Sequence, residues 1–303
     1  MNGLFRRLSE SEALARLLTR LSRRYKLAQR FVAGESTDQA IQAVRELNSH
    51  GILCSLDLLG EGVSDAGQAR RAAAEYSQLL ASINTSDIQS NISIKLTQLG
   101  LDIDQSLCRT NLISILEKAR DLQNFVRIDM EGSDYTQATI DLFREQLVLF
   151  GHHVGIVIQS YLYRSERDIA ELSRLACNIR LCKGAYNEPP RIAFPKKSDV
   201  DRNFVKLLET LLRSRCYTAI ATHDDKMIRH ARKFIAAQNI DCSKYEFQML
   251  YGIRREYQLR LRREGYQMRV YVPFGTQWAP YLLRRVAERP ANLLFVLKNL
   301  YKG

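Results

Sequence analysis

Between residues 52 and 288 the chain repeats one rhythm: a short run of β-branched and apolar residues, then a longer segment with apolar residues at helical spacing. The runs are ILCSLDLL (52–59), NISIKL (91–96), FVRIDM (125–130), VGIVIQ (154–159), NIRLCK (178–183), YTAIATH (217–223), YEFQML (245–250) and MRVYVPF (268–274). Helix-like segments lie at about 66–84, 107–122, 135–149, 165–175, 200–214, 225–238, 253–264 and 277–288. Eight consecutive βα units within about 240 residues predict a closed (β/α)8 barrel. The runs read as apolar on both faces, as expected of strands buried on both sides of a parallel sheet. A doubly wound open sheet is the runner-up. Against it, no GxGxxG follows the first strand, and LGEGVSD at 59–65 has the wrong spacing to cradle a phosphate.

Ahead of the barrel, residues 1–50 read as a helical arm. Leu14, Leu17, Leu18 and Leu21 recur at helical spacing among arginines, and STDQAIQAVRELNSHG offers Ser36 or Thr37 as a cap and Gly51 as a stop. The domain division is therefore 1–50 for the arm and 51–303 for the barrel. With 46% hydrophobic and 26% charged residues the chain is apolar enough to build a large core. No run approaches the roughly 18 apolar residues of a membrane span, and charges interrupt the first residues where a signal peptide needs an apolar centre. A soluble, cytoplasmic protein is expected. Six cysteines (54, 108, 177, 182, 216, 242) form no CxxC pair and no zinc-spaced cluster with histidine, which predicts reduced thiols and no metal.

The net charge of +12 first suggests nucleic acid or an anionic surface as partner. Its distribution narrows this: residues 1–30 contribute +6 and residues 254–303 contribute +8, leaving the middle at about −2. No RNP-like, helix-turn-helix or zinc-finger pattern accompanies the charge, which weakens a nucleic-acid reading.

Side chains at the carboxyl ends of barrel strands converge on one mouth, so polar residues there are candidates for chemistry. They are Glu61, Lys95, Asp129, Glu131, Gln159, Arg180, Lys183, Tyr186, His223, Asp224, Gln248 and Tyr271. Any one of them has an alternative reading as a solvated group or a helix cap. Lys95, Arg180 and Lys183 are more fixed cations than a neutral ligand needs, so an anionic ligand is expected. Arg284 and Arg285 suit bidentate carboxylate recognition, with a solvated helix end as the other reading. His223 and Asp224, being adjacent, are not expected to act as a dyad. No Ser-His-Asp set or carboxylate pair recommends hydrolysis, whereas a Schiff-base lyase using Lys95 or Lys183 stays open.

The strings FVAGEST, LDLLGEG, ISIKLTQLGLDI, VRIDMEGS, VGIVIQSYLYR, IRLCKGAYNEP, ATHDD, YEFQMLYGIRRE and YQMRVYVPFGTQWAPYLLRRVAERPAN run in order and closely resemble proline dehydrogenase of the bacterial monofunctional kind. The likeness covers roughly nine-tenths of the chain. It implies a distorted (β/α)8 TIM-type barrel with the eighth helix over the mouth. The implied activity is oxidation of L-proline to 1-pyrroline-5-carboxylate by hydride transfer to FAD, the first step of proline degradation to glutamate, with a membrane quinone receiving the electrons.

By resemblance Arg284, Arg285 and Lys95 grip the proline carboxylate, and Asp129 and Tyr271 stand beside the substrate. Leu181 and Tyr186 wall the pyrrolidine ring. Asp129, Gln159, Arg180, Lys183, Gly184, Ala185, His223, Gln248 and Glu288 contact FAD, and Glu61 pairs with Arg284 as a gate. The chain departs from its relatives at Asn187 and Cys182. A pyrroline-5-carboxylate dehydrogenase is a candidate partner, and the basic, leucine-striped residues 1–30 are a candidate contact with the inner face of the membrane.

Overall fold

Each of the eight apolar runs forms a strand in the computed structural model, which describes residues 30–60 and 62–282. The strands are β1 (Leu53–Leu58), β2 (Ser90–Ile94), β3 (Val126–Ile128), β4 (Val154–Gln159), β5 (Asn178–Cys182), β6 (Tyr217–Ala221), β7 (Tyr245–Leu250) and β8 (Met268–Phe274). All pair in parallel with their neighbours in the chain, and β8 closes onto β1, so the sheet is a barrel and not an open doubly wound layer. Lys95, Asp129, Lys183 and His223 lie just beyond the last paired residues, where the ladders end and the loops of the mouth begin.

The helices alternate with the strands: α1 (Thr37–Ser49), α2 (Ala66–Thr85), α3 (Gln105–Asp121), α4 (Thr136–Phe150), α5 (Ser165–Leu172), α6 (Lys197–Arg213), α7 (Asp225–Ala237) and α8 (Arg255–Arg263). Helix α1 precedes the barrel; α2 to α8 surround it. Aspartates begin several of them. Asp65 accepts from the Gln68 amide at 2.9 Å and Asp104 from the Leu107 amide at 2.6 Å, which satisfies N–H groups that have no partner within the helix. The expected last helix starts on schedule, with 278–282 helical; Arg284, Arg285 and Glu288 lie outside the described residues, as do Glu61 and residues 1–29.

Described residues 30–50 are bound to the barrel. Ser36 caps α1 in a reciprocal box with Gln39, and Gly51 ends the segment at φ +70°, a backbone conformation that glycine adopts without strain. Ala40, Ile41, Val44 and Leu47 are buried against the barrel, while Asn48 accepts from the Gln89 amide and donates to the Ile52 carbonyl, both at 2.8 Å.

Six of the strands carry mainly polar residues on the inner face, whereas β4 and β6 place Val157, Ala219 and Ala221 there, so the expectation of two apolar faces holds for these two and is corrected for the others. Leu56, Ile94, Ile128, Ile156, Leu181, Ile220 and Val272 are fully buried in the shell between barrel and helices. The alternate residues turn inward, and on β1, β2, β3, β5, β7 and β8 they include Ser55 and Asp57, Ser93, Arg127, Arg180, Glu246 and Gln248, Arg269 and Tyr271. Shell packing holds the fold, and the interior holds charge.

That charge shapes the backbone. Ser93, Arg127, Gly155 and Asn178 are neighbours across β2 to β5. The fully buried Arg127 guanidinium reaches past Gly155 to the carbonyls of Ile156 (2.9 Å) and Asn178 (2.8 Å). A Cβ on Gly155 would stand 2.6 Å from Arg127 Nη1 and 2.7 Å from the Asn178 carbonyl oxygen. The Gly155→Ala variant should therefore lose about 1–3 kcal/mol of stability by overpacking, read as a lower urea midpoint; an unchanged midpoint would refute this packing account.

Candidate active site

At the mouth, inward residues of five strands build two linked charge pairs. Lys95, one residue past β2, donates to Asp57 Oδ1 on β1 at 2.9 Å, with both side chains buried. Asp129, one residue past β3, accepts from Arg180 Nη1 of β5 at 2.7 Å through one oxygen and from the Tyr271 hydroxyl of β8 at 2.7 Å through the other. Arg180 also donates to Ser93 at 3.1 Å, and its guanidinium lies 5.3 Å from the centroid of the Tyr271 ring. Groups on strands or one residue past them, with partners held in the same way, leave little freedom to any of these side chains.

Burial raises the Tyr271 phenol well above its usual pKa and the Asp129 charge adds to the effect, so this hydroxyl is a permanent donor at neutral pH. Burial also pushes Asp57 up, against the opposing pull of Lys95.

The cations of the mouth were expected to need an external anion. Instead Lys95, Arg180 and Lys183 each have a carboxylate partner, because the inward positions of neighbouring strands and loops supply Asp57, Asp129, Asp201 and Asp224. A demand for an anionic ligand rests on Arg284 and Arg285, outside the described residues.

The mouth opens into a cavity of about 1030 Å³. Lys95, Asp129, Gln159, Arg180, Lys183, Gly184, Ala185, Tyr186, His223, Gln248 and Tyr271 all line it. Leu181 does not. It follows Arg180 on β5, so strand parity turns it into the outer shell, where it is fully buried; its expected place beside a ligand is corrected on that ground. Glu131 turns to the β2 loop, accepting from the Thr97 hydroxyl at 2.6 Å and amide at 3.1 Å. Gln159 donates to the Glu131 carbonyl at 2.8 Å.

His223 and Asp224 diverge, as adjacency required. His223 Nε2 accepts from the Leu250 amide at 2.9 Å, while Asp224 caps α7 through the Lys226 amide at 2.9 Å and binds Lys183 at 2.8 Å. Asp57 is the site residue that inspection of strand ends passed over. It sits inside β1, and the Ser55, Asp57 alternation of polar residues in LCSLDL is the signal that marks it.

Two observations bear on what the cavity can hold. Arg180 Nε is buried without a hydrogen-bond partner among the described residues. Gly184 follows β5 at φ +115°, and a Cβ there would lie 2.2 Å from the Tyr161 ring, so bare backbone is pressed between that ring and the cavity. A cavity of this size, lined by buried donors and by the backbone of Gly184, suits a large ligand rich in hydrogen-bond acceptors.

Fold and site together define an enzyme of the (β/α)8 barrel class, with its working groups at the carboxyl ends of the strands. Comparison with known proteins narrows the class. The sequence model of the proline dehydrogenase family matches residues 40–298, and the chain belongs to that family. It is 44% identical over 275 residues to proline dehydrogenase 2 of Bacillus subtilis, covering 91% of this chain and 90% of the relative. It is 43% identical over 283 residues to a proline dehydrogenase of Deinococcus radiodurans, covering 92% and 91%. Among solved structures, proline utilization A of Bdellovibrio bacteriovorus inactivated by N-propargylglycine superposes with a TM-score of 0.82 at 25% identity over 87% of this chain. The present chain spans 32% of that larger one.

The rim of the cavity has a predictable acid response. Burial works to raise Asp201 and Asp224, but their hydrogen bonds to Lys183 and Lys197 prevail and hold both below the ordinary value of 3.8. As pH falls, the unfolded chain therefore takes up protons first, and stability present at neutral pH is lost progressively below about pH 4. Urea midpoints should be lower at pH 3 than at pH 7, and Asp224→Asn should shrink that difference. An equal difference in the variant would remove Asp224 from the account.

Proposed function

We propose that this protein oxidises L-proline to 1-pyrroline-5-carboxylate with FAD as cofactor, as the first step of proline degradation to glutamate. The observation that carries this reading is the meeting of Lys95, Asp129, Arg180 and Tyr271 at one end of a cleft whose wall includes Gln159, Lys183, Gly184, Ala185, His223 and Gln248. Arg180 Nε, buried without a hydrogen-bond partner among the described residues, and the bare backbone at Gly184 fit the acceptor-rich ring and phosphate chain of FAD. FAD, when bound, supplies the two-electron acceptor for the hydride that leaves the substrate ring.

The protein's share of the work is binding, orientation and electrostatics. Lys95, with Arg284 and Arg285, is assigned to the proline carboxylate, and a planar guanidinium gives that recognition a fixed direction. Asp129 orients Arg180 and Tyr271 at once, since each of its oxygens accepts from one of them. Tyr271 and Tyr186 wall the pyrrolidine ring, and a Glu61–Arg284 pair closes over it to exclude water. Glu288 joins the cofactor contacts.

The substrate amine must be neutral before its neighbouring carbon gives up a hydride, because the nitrogen lone pair forms the new C=N bond. Lys95 and the arginines disfavour the ammonium form by like-charge repulsion.

The onward acceptor in this reading is a membrane quinone. Among the described residues no helix is long and apolar enough to cross a membrane. Residues 1–30, part of an arm spanning 1–50 ahead of a catalytic barrel of 51–303, are proposed to contact anionic lipid through their arginines. A pyrroline-5-carboxylate dehydrogenase is the proposed recipient of the product.

The purified protein should be yellow and should bleach on anaerobic addition of proline. A colourless protein that traps a carbonyl substrate on a lysine with borohydride would instead establish the Schiff-base alternative. Arg285→Ala should raise the KM for proline about tenfold or more while FAD is retained, and normal proline binding would refute the carboxylate assignment. The rate of flavin reduction should climb with pH through the neutral-to-basic range, and a flat profile would contradict the neutral-amine requirement.

A further inference from the structure

Below the mouth, and outside the residues assigned to the reaction, the barrel buries a second charged group. Glu246 on β7 is almost fully buried, and Arg269 Nε of β8 donates to both of its oxygens, at 2.8 and 3.1 Å. A further Arg269 nitrogen donates to the Cys54 carbonyl at 2.8 Å, which ties the pair to β1. Burial works to protonate Glu246, yet the charge and hydrogen bonds of Arg269 prevail and keep its pKa below the ordinary value. At neutral pH Glu246 is a carboxylate and can only accept hydrogen bonds.

Gln248 stands two residues further along β7, hence on the same inward face and nearer the mouth, where it lines the cavity. Its Nε2 donates to Glu246 Oε1 at 2.5 Å. A carboxamide is almost symmetric in shape and its two ends exchange by a simple flip, so its orientation is decided by its partners. Facing a carboxylate, the NH2 end is fixed inward, and the carbonyl oxygen is the end left for the cavity.

We propose that Glu246 is a positioning residue: by holding the amide of Gln248, it presents that side chain's oxygen to the cavity as an acceptor for a donor group of the cofactor. The isoalloxazine ring offers one ring N–H and the ribityl chain several hydroxyls that can meet it. Arg269 keeps Glu246 ionised, so the arrangement is a relay of three side chains from β8 to the ligand. The inference rests on the FAD reading above and extends it to residues that do not touch the substrate.

The test compares the FAD-loaded wild type with Glu246→Gln, Gln248→Met and the double variant. Three quantities are read: the flavin-to-protein ratio after dilution and gel filtration, the flavin absorption envelope, and the midpoint potential. A glutamine at 246 can donate as well as accept, so it releases the orientation of Gln248, whereas methionine at 248 removes the amide and leaves the Glu246–Arg269 pair intact. Each single variant should weaken FAD retention about tenfold and move the absorption envelope in the same direction. The double variant should be no worse than Gln248→Met alone, since the two residues act as one device. Additive effects on retention and potential would overturn the proposal, because Glu246 would then act on the flavin by its own field. Unchanged retention and spectrum in Gln248→Met would overturn it as well.

Should Glu246→Gln fail to fold, Glu246→Asp serves in its place, keeping the charge beside Arg269 while withdrawing the acceptor from Gln248. A wild type without flavin would refute the parent reading. A flavin-bearing wild type with indifferent variants refutes only this inference.

Discussion

Asp129 fixes two side chains from distant strands at once: Arg180 from β5 on one oxygen and Tyr271 from β8 on the other. Around it the barrel interior is a set of charges taken out of water, and each such charge would be prohibitive alone. The solution is pairing. Asp57 meets Lys95, Asp129 meets Arg180, and Glu246 meets Arg269, while the fully buried Arg127 has carbonyl oxygens instead, so most of the lumen's charge is compensated. Removing one member of a buried pair typically costs about 3–5 kcal/mol, because the survivor is left in a poor environment. The strand positions that create this interior are therefore constrained in pairs.

The division of labour between the two faces of each strand follows. The outward face, with Leu56, Ile94, Ile128 and their equivalents, packs against the helices and supplies the stabilising burial. The inward face is thereby released from the usual task of filling a barrel with branched apolar side chains and is free to carry chemistry. Gly155 shows how strict the interior is, since a single methyl group there would collide with the path of Arg127. A rigid wall of this kind suits a reaction in which the protein contributes orientation and field while a cofactor carries electrons.

The rim behaves differently from the interior. Lys183, Lys197, Asp201 and Asp224 form a cluster on loop and helix residues that are partly open to solvent, where ion pairs are screened and weaker. This gradient, from locked pairs within the strands to softer pairs at the loops, leaves adjustable contacts at the outer end of the cleft and fixed ones where the substrate ring is proposed to lie.

The barrel was legible in the chain because periodicity is local: VGIVIQ, YEFQML and MRVYVPF became strands with the bounds that their composition suggests, and the Ser36 cap and Gly51 stop delimit α1 as read. Most of the mouth was legible too, since a position at the end of a strand fixes which residues face it. Leu181, expected beside the substrate by resemblance alone, misses the cavity by one residue of strand parity, and Asp57 was passed over because it lies within an apolar run. What the sequence determined by itself was the order of elements and the inventory of polar groups at their ends. Only the closed barrel decided the pairing, because Asp57 and Lys95 are 38 residues apart and Asp129 and Tyr271 are 142 apart. Nothing local in the chain encodes which carboxylate meets which cation; that is settled by the register of eight strands brought round to meet at β1 and β8.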